Sequence, residues 1–263
     1  MSVPSGGSAR PVSVDLSRRM SMTAAASPAA ATLGSPKAPL PRKLPEVEAA
    51  LRQHPHAGVW WVSSLDGGVG RTSVALALAL TLARHRSSVA FIDADQRLHG
   101  TDTPRRLGRP GSMPEQGWAW TEPTPAGVHP LAASWAVHVD LIAAASELFR
   151  CVVIDLPAGV IPTDRPGHHV LVARTDEHHL ERVGEFVQLA HTDLVVATNP
   201  TVSQRSSRRA TQMLTAIAGW TPVVTLPTDP AIATSSVAYT DLAANTALAA
   251  GHLILHTERR LEP

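Results

Sequence analysis

Residues 58–73 have the sequence GVWWVSSLDGGVGRTS. The first seven, 58–64, are mostly apolar or β-branched and predict a short buried strand. Residues 73–85, SVALALALTLARH, predict a helix. A glycine-rich turn between a strand and a helix lets backbone N–H groups converge on an anion, and the helix N-terminus adds partial positive charge. This stretch therefore predicts a phosphate-binding loop in an α/β protein.

Two later strands are expected to end in carboxylates. Residues 88–94 form an apolar run that contains Asp93 and is followed by Asp95, and residues 151–155, CVVID, end at Asp155. In open parallel sheets, ligands bind at the carboxyl ends of the strands, so these acids should lie beside the glycine turn. Carboxylates there are suitable partners for Mg²⁺.

The rest of the chain alternates short apolar runs with helical patterns. We predict an α/β fold whose mostly parallel sheet is covered by helices on both faces. Residues 97–134, rich in Pro, Gly and Trp, predict a long loop. Further strands are predicted at 170–174, 193–198 and 222–226, and further helices at 44–53, 136–149, 178–190, 203–218 and 236–250.

Composition limits the functional classes. The 263 residues include one cysteine, which excludes a disulfide framework. Their formal net charge is +1, so the chain as a whole has no strong positive potential that would attract nucleic acid. No apolar run reaches the roughly 18 residues of a membrane span, so a cytoplasmic protein without a transmembrane segment is expected. Residues 1–43 are rich in Ser, Pro, Ala and Gly and predict a disordered tail before one domain, 44–263.

Three motifs in order resemble the ParA/MinD family of deviant Walker A P-loop ATPases. They are DGGVGRTS at 66–73, FIDAD at 91–95 and VIDLPAG at 153–159. Weaker similarity continues in LVVATN at 194–199 and VTLPTD at 224–229. The resemblance covers about residues 58–250 and implies a ParA/MinD-like P-loop domain.

The resemblance also implies the ligands and their contacts. It implies ATP or ADP with Mg²⁺, bound at the strand ends. The implied roles are phosphate binding by Gly67, Gly68, Gly70, Arg71, Thr72 and Ser73; Mg²⁺ binding by Thr72 and Asp155; catalysis by Asp93, Asp95 and Arg71; and base contacts by Asn199 and Asp229.

Two substitutions depart from the family pattern. Arg71 replaces the lysine that bridges the terminal phosphates, and a planar guanidinium does not replace a compact ammonium conservatively. Asp66 replaces the signature lysine, which in a sandwich dimer reaches the partner's nucleotide. The only lysines are Lys37 and Lys43, so no other lysine is available beyond them. We therefore expect weak or absent ATP hydrolysis.

Three functions remain open at this point. The first is a nucleotide-binding protein of plasmid or chromosome partition, or of intracellular positioning, acting as a homodimer or with a protein partner. The second is a non-hydrolysing pseudo-ATPase scaffold in a secretion or conjugation apparatus. The third is a P-loop kinase or other phosphotransferase, which no second substrate motif supports. Arg205, Arg208 and Arg209 are candidates for non-specific DNA contacts.

Aromatic residues and histidines suggest no further chemistry. Trp60 and Trp61 lie in the first predicted strand and are expected in the core. The thirteen histidines include the adjacent pair His168 and His169 and lack acidic or cysteine partners at ligand spacing, so they are interpreted as surface residues rather than metal ligands.

Overall fold

The structure is a computed structural model. It describes residues 40–53, 57–85, 88–94, 123–132, 138–162, 165–174, 182–187, 192–198, 204–233 and 237–259. All of them belong to one unit, Leu40–Pro263. Most of the predicted tail, residues 1–39, lies outside the described residues.

Seven parallel strands form the sheet of this unit. Their order across the sheet is β3-β2-β4-β1-β5-β6-β7, so the strand before the glycine turn is central. The parallel sheet predicted from the alternating pattern is confirmed. The strands are β1 (Gly58–Ser64), β2 (Val89–Asp93), β3 (Val128–Ala132), β4 (Cys151–Asp155), β5 (His168–Arg174), β6 (Leu194–Thr198) and β7 (Val223–Leu226).

Helices cover both faces of the sheet, as predicted. Trp60 in β1 belongs to a core cluster with residues of the first, second and last helices, whereas Trp61 belongs to a cluster with Leu141 of the third helix. Both tryptophans are buried, which confirms their expected place in the core. The helices are α1 (Leu44–Gln53), α2 (Arg71–His85), α3 (His138–Leu148), α4 (Gln204–Ala218) and α5 (Ala244–Arg259), with a helical segment at 182–187 and 3-10 turns at Pro230–Ala233 and Tyr239–Asp241.

Two elements differ from the sequence predictions. Strand β3 lies within the segment predicted to be a loop; it contains Pro130, which a strand tolerates at the edge of a sheet, and β3 is an edge strand. The last helix begins at Ala244 rather than at residue 236 and continues to Arg259. Gly251 lies inside this helix, where a Cβ would lie 2.4 Å from Val47 Cγ1, so this glycine lets α1 approach α5.

His168 is buried, which corrects the interpretation of this histidine as a surface residue. Only 2% of it is exposed, and its ring stacks on Trp60 with ring centroids 4.7 Å apart. Desolvation by burial lowers the pKa of His168, against the opposing effect of the Asp193 carboxylate. The imidazole is therefore a neutral core group at neutral pH.

Cys151 opens β4 in the middle of the sheet. It is fully buried, and its neighbours in register are Gly58 of β1 and Val89 of β2. Among the described helices, none has both the length and the apolar character needed to cross a bilayer.

Candidate functional site

The glycine turn between β1 and α2 has the backbone that a phosphate loop needs. Gly68 has φ +71° and Gly70 has φ +86°, a region that side-chain-bearing residues rarely adopt. Helix α2 begins directly afterwards, and the Val74 amide donates to the Gly70 carbonyl at 3.0 Å. The N-terminal amides of α2 thus follow the turn, as an anion site requires.

The loop is held by one hydrogen bond within the turn and one from the end of β6. The Ser64 hydroxyl donates to the Asp66 carbonyl at 2.9 Å, within the turn itself. The Thr198 hydroxyl, at the end of β6, donates to the Val69 carbonyl. These two bonds hold the loop in a fixed shape against the sheet.

Asp93 and Asp155 end adjacent strands and face each other in register. They are 6% and 1% exposed. The turn after Asp155 lies against the loop, because the Gly159 amide donates to the Ser64 carbonyl at 2.8 Å. The three motif segments therefore meet at one edge of the sheet.

Arg71 does not extend into solvent. Its side chain is 8% exposed, and its Nε donates to Asp155 Oδ1 at 2.5 Å. The Thr72 hydroxyl donates to the other carboxylate oxygen, Oδ2, at 2.7 Å. The Asp155 carboxylate is therefore held on both oxygens by consecutive residues of the loop.

Asp66 also has a cationic partner. Arg182, from the helical segment 182–187, places its Nη1 3.0 Å from Asp66 Oδ1 and 3.3 Å from Oδ2. The two side chains are 56% and 30% exposed, so solvent screens this pair and its contribution to stability is small. Its effect is local, because it neutralises the Asp66 carboxylate.

A cavity of about 210 Å³ opens beside the loop. This is smaller than the sites of about 300–1,000 Å³ that enclose a drug-sized ligand, and it suits a single ring system. Most of its lining is apolar, as a flat heterocycle requires. It is lined on one side by Gly68, Val69, Gly70, Ser73 and Thr198 and on the other by Leu226, Pro227, Thr228, Asp229, Pro230, Ile232 and Ala233.

Asp229 lines this cavity, but its carboxylate accepts hydrogen bonds from backbone amides. Its Oδ1 accepts from the Ala231 amide at 3.0 Å and its Oδ2 from the Ala243 amide at 2.8 Å. The side chain is 9% exposed. Asp229 therefore fixes the turn that forms the cavity wall and the approach to α5.

A family model described as ParA, NUBPL iron-transfer P-loop NTPase, matches residues 57–140. That range contains the phosphate loop and the Asp93 strand end. The resemblance to the ParA/MinD family is thereby confirmed. No curated protein matches the sequence.

Solved structures agree on the architecture. A ParA family ATPase from Chlorobium tepidum TLS superposes with a TM-score of 0.55 at 14% identity, covering 77% of this chain and 99% of that one. The septum site-determining protein MinD from Pyrococcus horikoshii OT3, complexed with Mg-ADP, gives 0.56 at 17% identity, covering 78% and 97%. An ATP complex of Cyanothece McdA gives 0.56 at 16%, covering 78% and 98%. The fold is that of a ParA/MinD-like P-loop NTPase.

Within this ParA/MinD-like fold, the predicted site is partly assembled. The structure brings together Gly67, Gly68, Gly70, Arg71, Thr72, Ser73, Asp93 and Asp155, with Asp229 across the cavity. Asp95 and Asn199 lie outside the described residues, so their roles stay predictions. Arg209 is exposed on α4, whereas the side chains of Arg205 and Arg208 are not described.

Sequence reasoning missed Arg182 and Thr198. Arg182 lies 116 residues from its partner Asp66, and Thr198 lies 129 residues from Val69. No local motif marks Arg182, and although Thr198 lies within LVVATN, that motif does not indicate its contact with the loop. The only available signal was the charge reversal at Asp66, which implies a compensating cation somewhere in the fold.

The residues predicted to hold Mg²⁺ make contacts that do not suit that ion. Mg²⁺ is held by oxygen ligands, directly or through its own water molecules. Here both Asp155 oxygens accept protein hydrogen bonds, one of them from a guanidinium. Assignment of Thr72 and Asp155 to a metal remains a prediction from the sequence.

Proposed function

We propose that this chain is a ParA/MinD-like nucleotide-binding protein with weak or absent ATP hydrolysis. The observation that carries the proposal is the apolar cavity that adjoins the phosphate loop, since Gly68, Val69, Gly70 and Ser73 line both. A base in the cavity would leave its phosphates beside the loop amides and the N-terminus of α2. ATP or ADP is the nucleotide that the family resemblance implies.

The contacts of the two substituted positions support weak hydrolysis. Arg71 is buried against Asp155, and Asp66 is paired with Arg182. Catalysis of phosphoryl transfer depends mainly on cations placed around the terminal phosphate. In this chain, the two loop positions that carry those cations in the family are engaged in ion pairs with the protein itself.

We expect the protein to bind ADP or ATP with a dissociation constant in the micromolar range or weaker, measured by calorimetry. Ala233→Trp places a bulky ring at the cavity wall and should weaken this binding by at least about tenfold. The residue is exposed, so the fold should tolerate the change.

The matched control is Thr240→Trp. Thr240 is also exposed, lies in the second 3-10 turn and does not line the cavity, so this variant should bind like wild type. Equal affinities for wild type and Ala233→Trp would place the nucleotide elsewhere. No heat at millimolar nucleotide would remove the proposed function.

The cellular role is proposed from the family resemblance. We assign the chain to plasmid or chromosome partition, or to intracellular positioning, in the cytoplasm. The Asp66–Arg182 pair favours the second candidate, a non-hydrolysing scaffold of a secretion or conjugation apparatus. With Asp66 in place of the signature lysine, the chain does not offer that cation to a partner's triphosphate.

Light scattering separates these two roles. Asp66 offers no cation to a partner's nucleotide, even where Arg182 neutralises its own charge, so ATP should not close a face-to-face dimer and the molar mass should be the same with and without ATP. Asp66→Lys should introduce ATP-driven dimerisation, whereas Glu147→Lys, an exposed change near the end of α3 and outside the cavity lining, should not. A clean ATP-driven monomer-to-dimer shift in the wild type would reject the scaffold.

A further inference from the structure

We infer that the Arg71 guanidinium takes the place of a divalent cation in this site, so that nucleotide binding here does not depend on Mg²⁺. The inference rests on the proposed function, because it concerns the same phosphate loop. It differs from the sequence prediction of a metal held by Thr72 and Asp155.

The first argument is geometric. Arg71 Nε lies 2.5 Å from Asp155 Oδ1, and the Thr72 hydroxyl lies 2.7 Å from Oδ2. Arg71 opens helix α2, directly after Gly70 of the loop. Its charge is therefore fixed at the boundary between the loop amides and the strand-end carboxylates, where a bridging cation would act.

The second argument concerns the competition between arginine and metal. Both members of the pair are buried, with 8% and 1% of their side chains exposed. A metal that took Asp155 would separate the buried Arg71 guanidinium from this carboxylate, and that separation costs free energy. Arginine remains protonated at every physiological pH, so Arg71 competes with a metal for the Asp155 carboxylate at each of them. Mg²⁺ also gives up its water molecules reluctantly.

The third argument concerns alternative ligands. Asp93 lies opposite Asp155 in register, but it makes an interaction of its own. Across the described part of the chain, no cluster of three or more His, Cys, Asp or Glu residues could hold a metal ion. Arg71 is thus a cation already in place at this carboxylate.

The test is calorimetric titration of the full chain with ADP, once in EDTA and once with millimolar Mg²⁺. The two dissociation constants should agree within about twofold. Binding that appears only with Mg²⁺ would overturn this inference and leave the proposed function standing. Absence of binding under both conditions would overturn the proposed function, and this inference with it.

Two variants sharpen the test. Arg71→Ala removes the cation, so binding in EDTA should weaken by at least about tenfold, and Mg²⁺ should restore part of it. Arg71→Lys retains a positive charge and is used in case the alanine variant does not fold. Because the lysine side chain is shorter than that of arginine, ADP binding by this variant should be tighter with Mg²⁺ than in EDTA. Arg209→Ala, an exposed change on α4, should leave both constants unaltered. Mg²⁺-independent binding by both Arg71 variants would show that this guanidinium does not replace the metal.

Discussion

Asp155→Ala is expected to lower the free energy of unfolding by about 3–5 kcal/mol, because removing one partner of a buried ion pair takes that counter-charge away from a charge that stays in the interior. Asp155 is 1% exposed and accepts from both Arg71 and Thr72. The change removes both hydrogen bonds at once. Urea denaturation followed by tryptophan fluorescence measures the loss.

The control for this variant is a double substitution. Replacing Arg71 by Met and Asp155 by Leu removes both charges and retains most of the buried volume, so it should cost much less than Asp155→Ala alone. Comparing the two variants separates the free-energy cost of a buried charge that has lost its Asp155 partner from the cost of lost packing. A loss below about 1 kcal/mol for Asp155→Ala would mean that the pair is not buried in solution.

Gly167→Ala should destabilise the protein by about 2–5 kcal/mol, the sum of backbone strain and overpacking. Gly167 precedes β5 and has φ +129°. A Cβ there would lie 2.5 Å from the Val59 carbonyl oxygen and 2.9 Å from Trp61 Nε1. The nearest atom is backbone of the central strand β1, which cannot rotate away as a flexible side chain can.

Gly219→Ala provides the comparison for this prediction. Gly219 follows α4 with φ +62°, and a Cβ there would meet nothing within 4 Å. It should cost only the left-handed backbone penalty of about 1–2 kcal/mol. Equal losses in the two variants, measured by urea denaturation, would show that close approach to β1 contributes nothing.

The sequence predicted the architecture well because its signals are local. Continuous apolar runs such as CVVID mark strands buried on both faces, and the glycine turn after β1 marks the first crossover. The edge strand β3 was missed because His129 and Pro130 interrupt its apolar pattern. The last helix was predicted to begin too early, because the segment before Ala244 contains the 3-10 turn Tyr239–Asp241 and not α-helix.

The candidate site was only partly predictable, for a physical reason. Glycines and strand-end acids identify the loop and its edge, since their chemistry is tied to their position in a βα unit. Side-chain pairing is different, because it depends on residues brought together by the fold. Arg71 and Asp155 are 84 residues apart, and Asp66 and Arg182 are 116 apart. The sequence revealed the altered charges but not their partners.

The buried position of Cys151 allows transient opening of the wild-type protein to be measured by thiol labelling. It is the single thiol of the molecule, so a thiol-reactive reagent has one target and needs no engineered variant. Because Cys151 is fully buried in the core cluster that the sheet forms with α1, α2 and α5, the reagent reaches it only after that core has opened. When closing is faster than labelling, the rate of modification is proportional to the population of the open form. A nucleotide that binds only the closed form lowers that population, so it should slow the modification by the same factor.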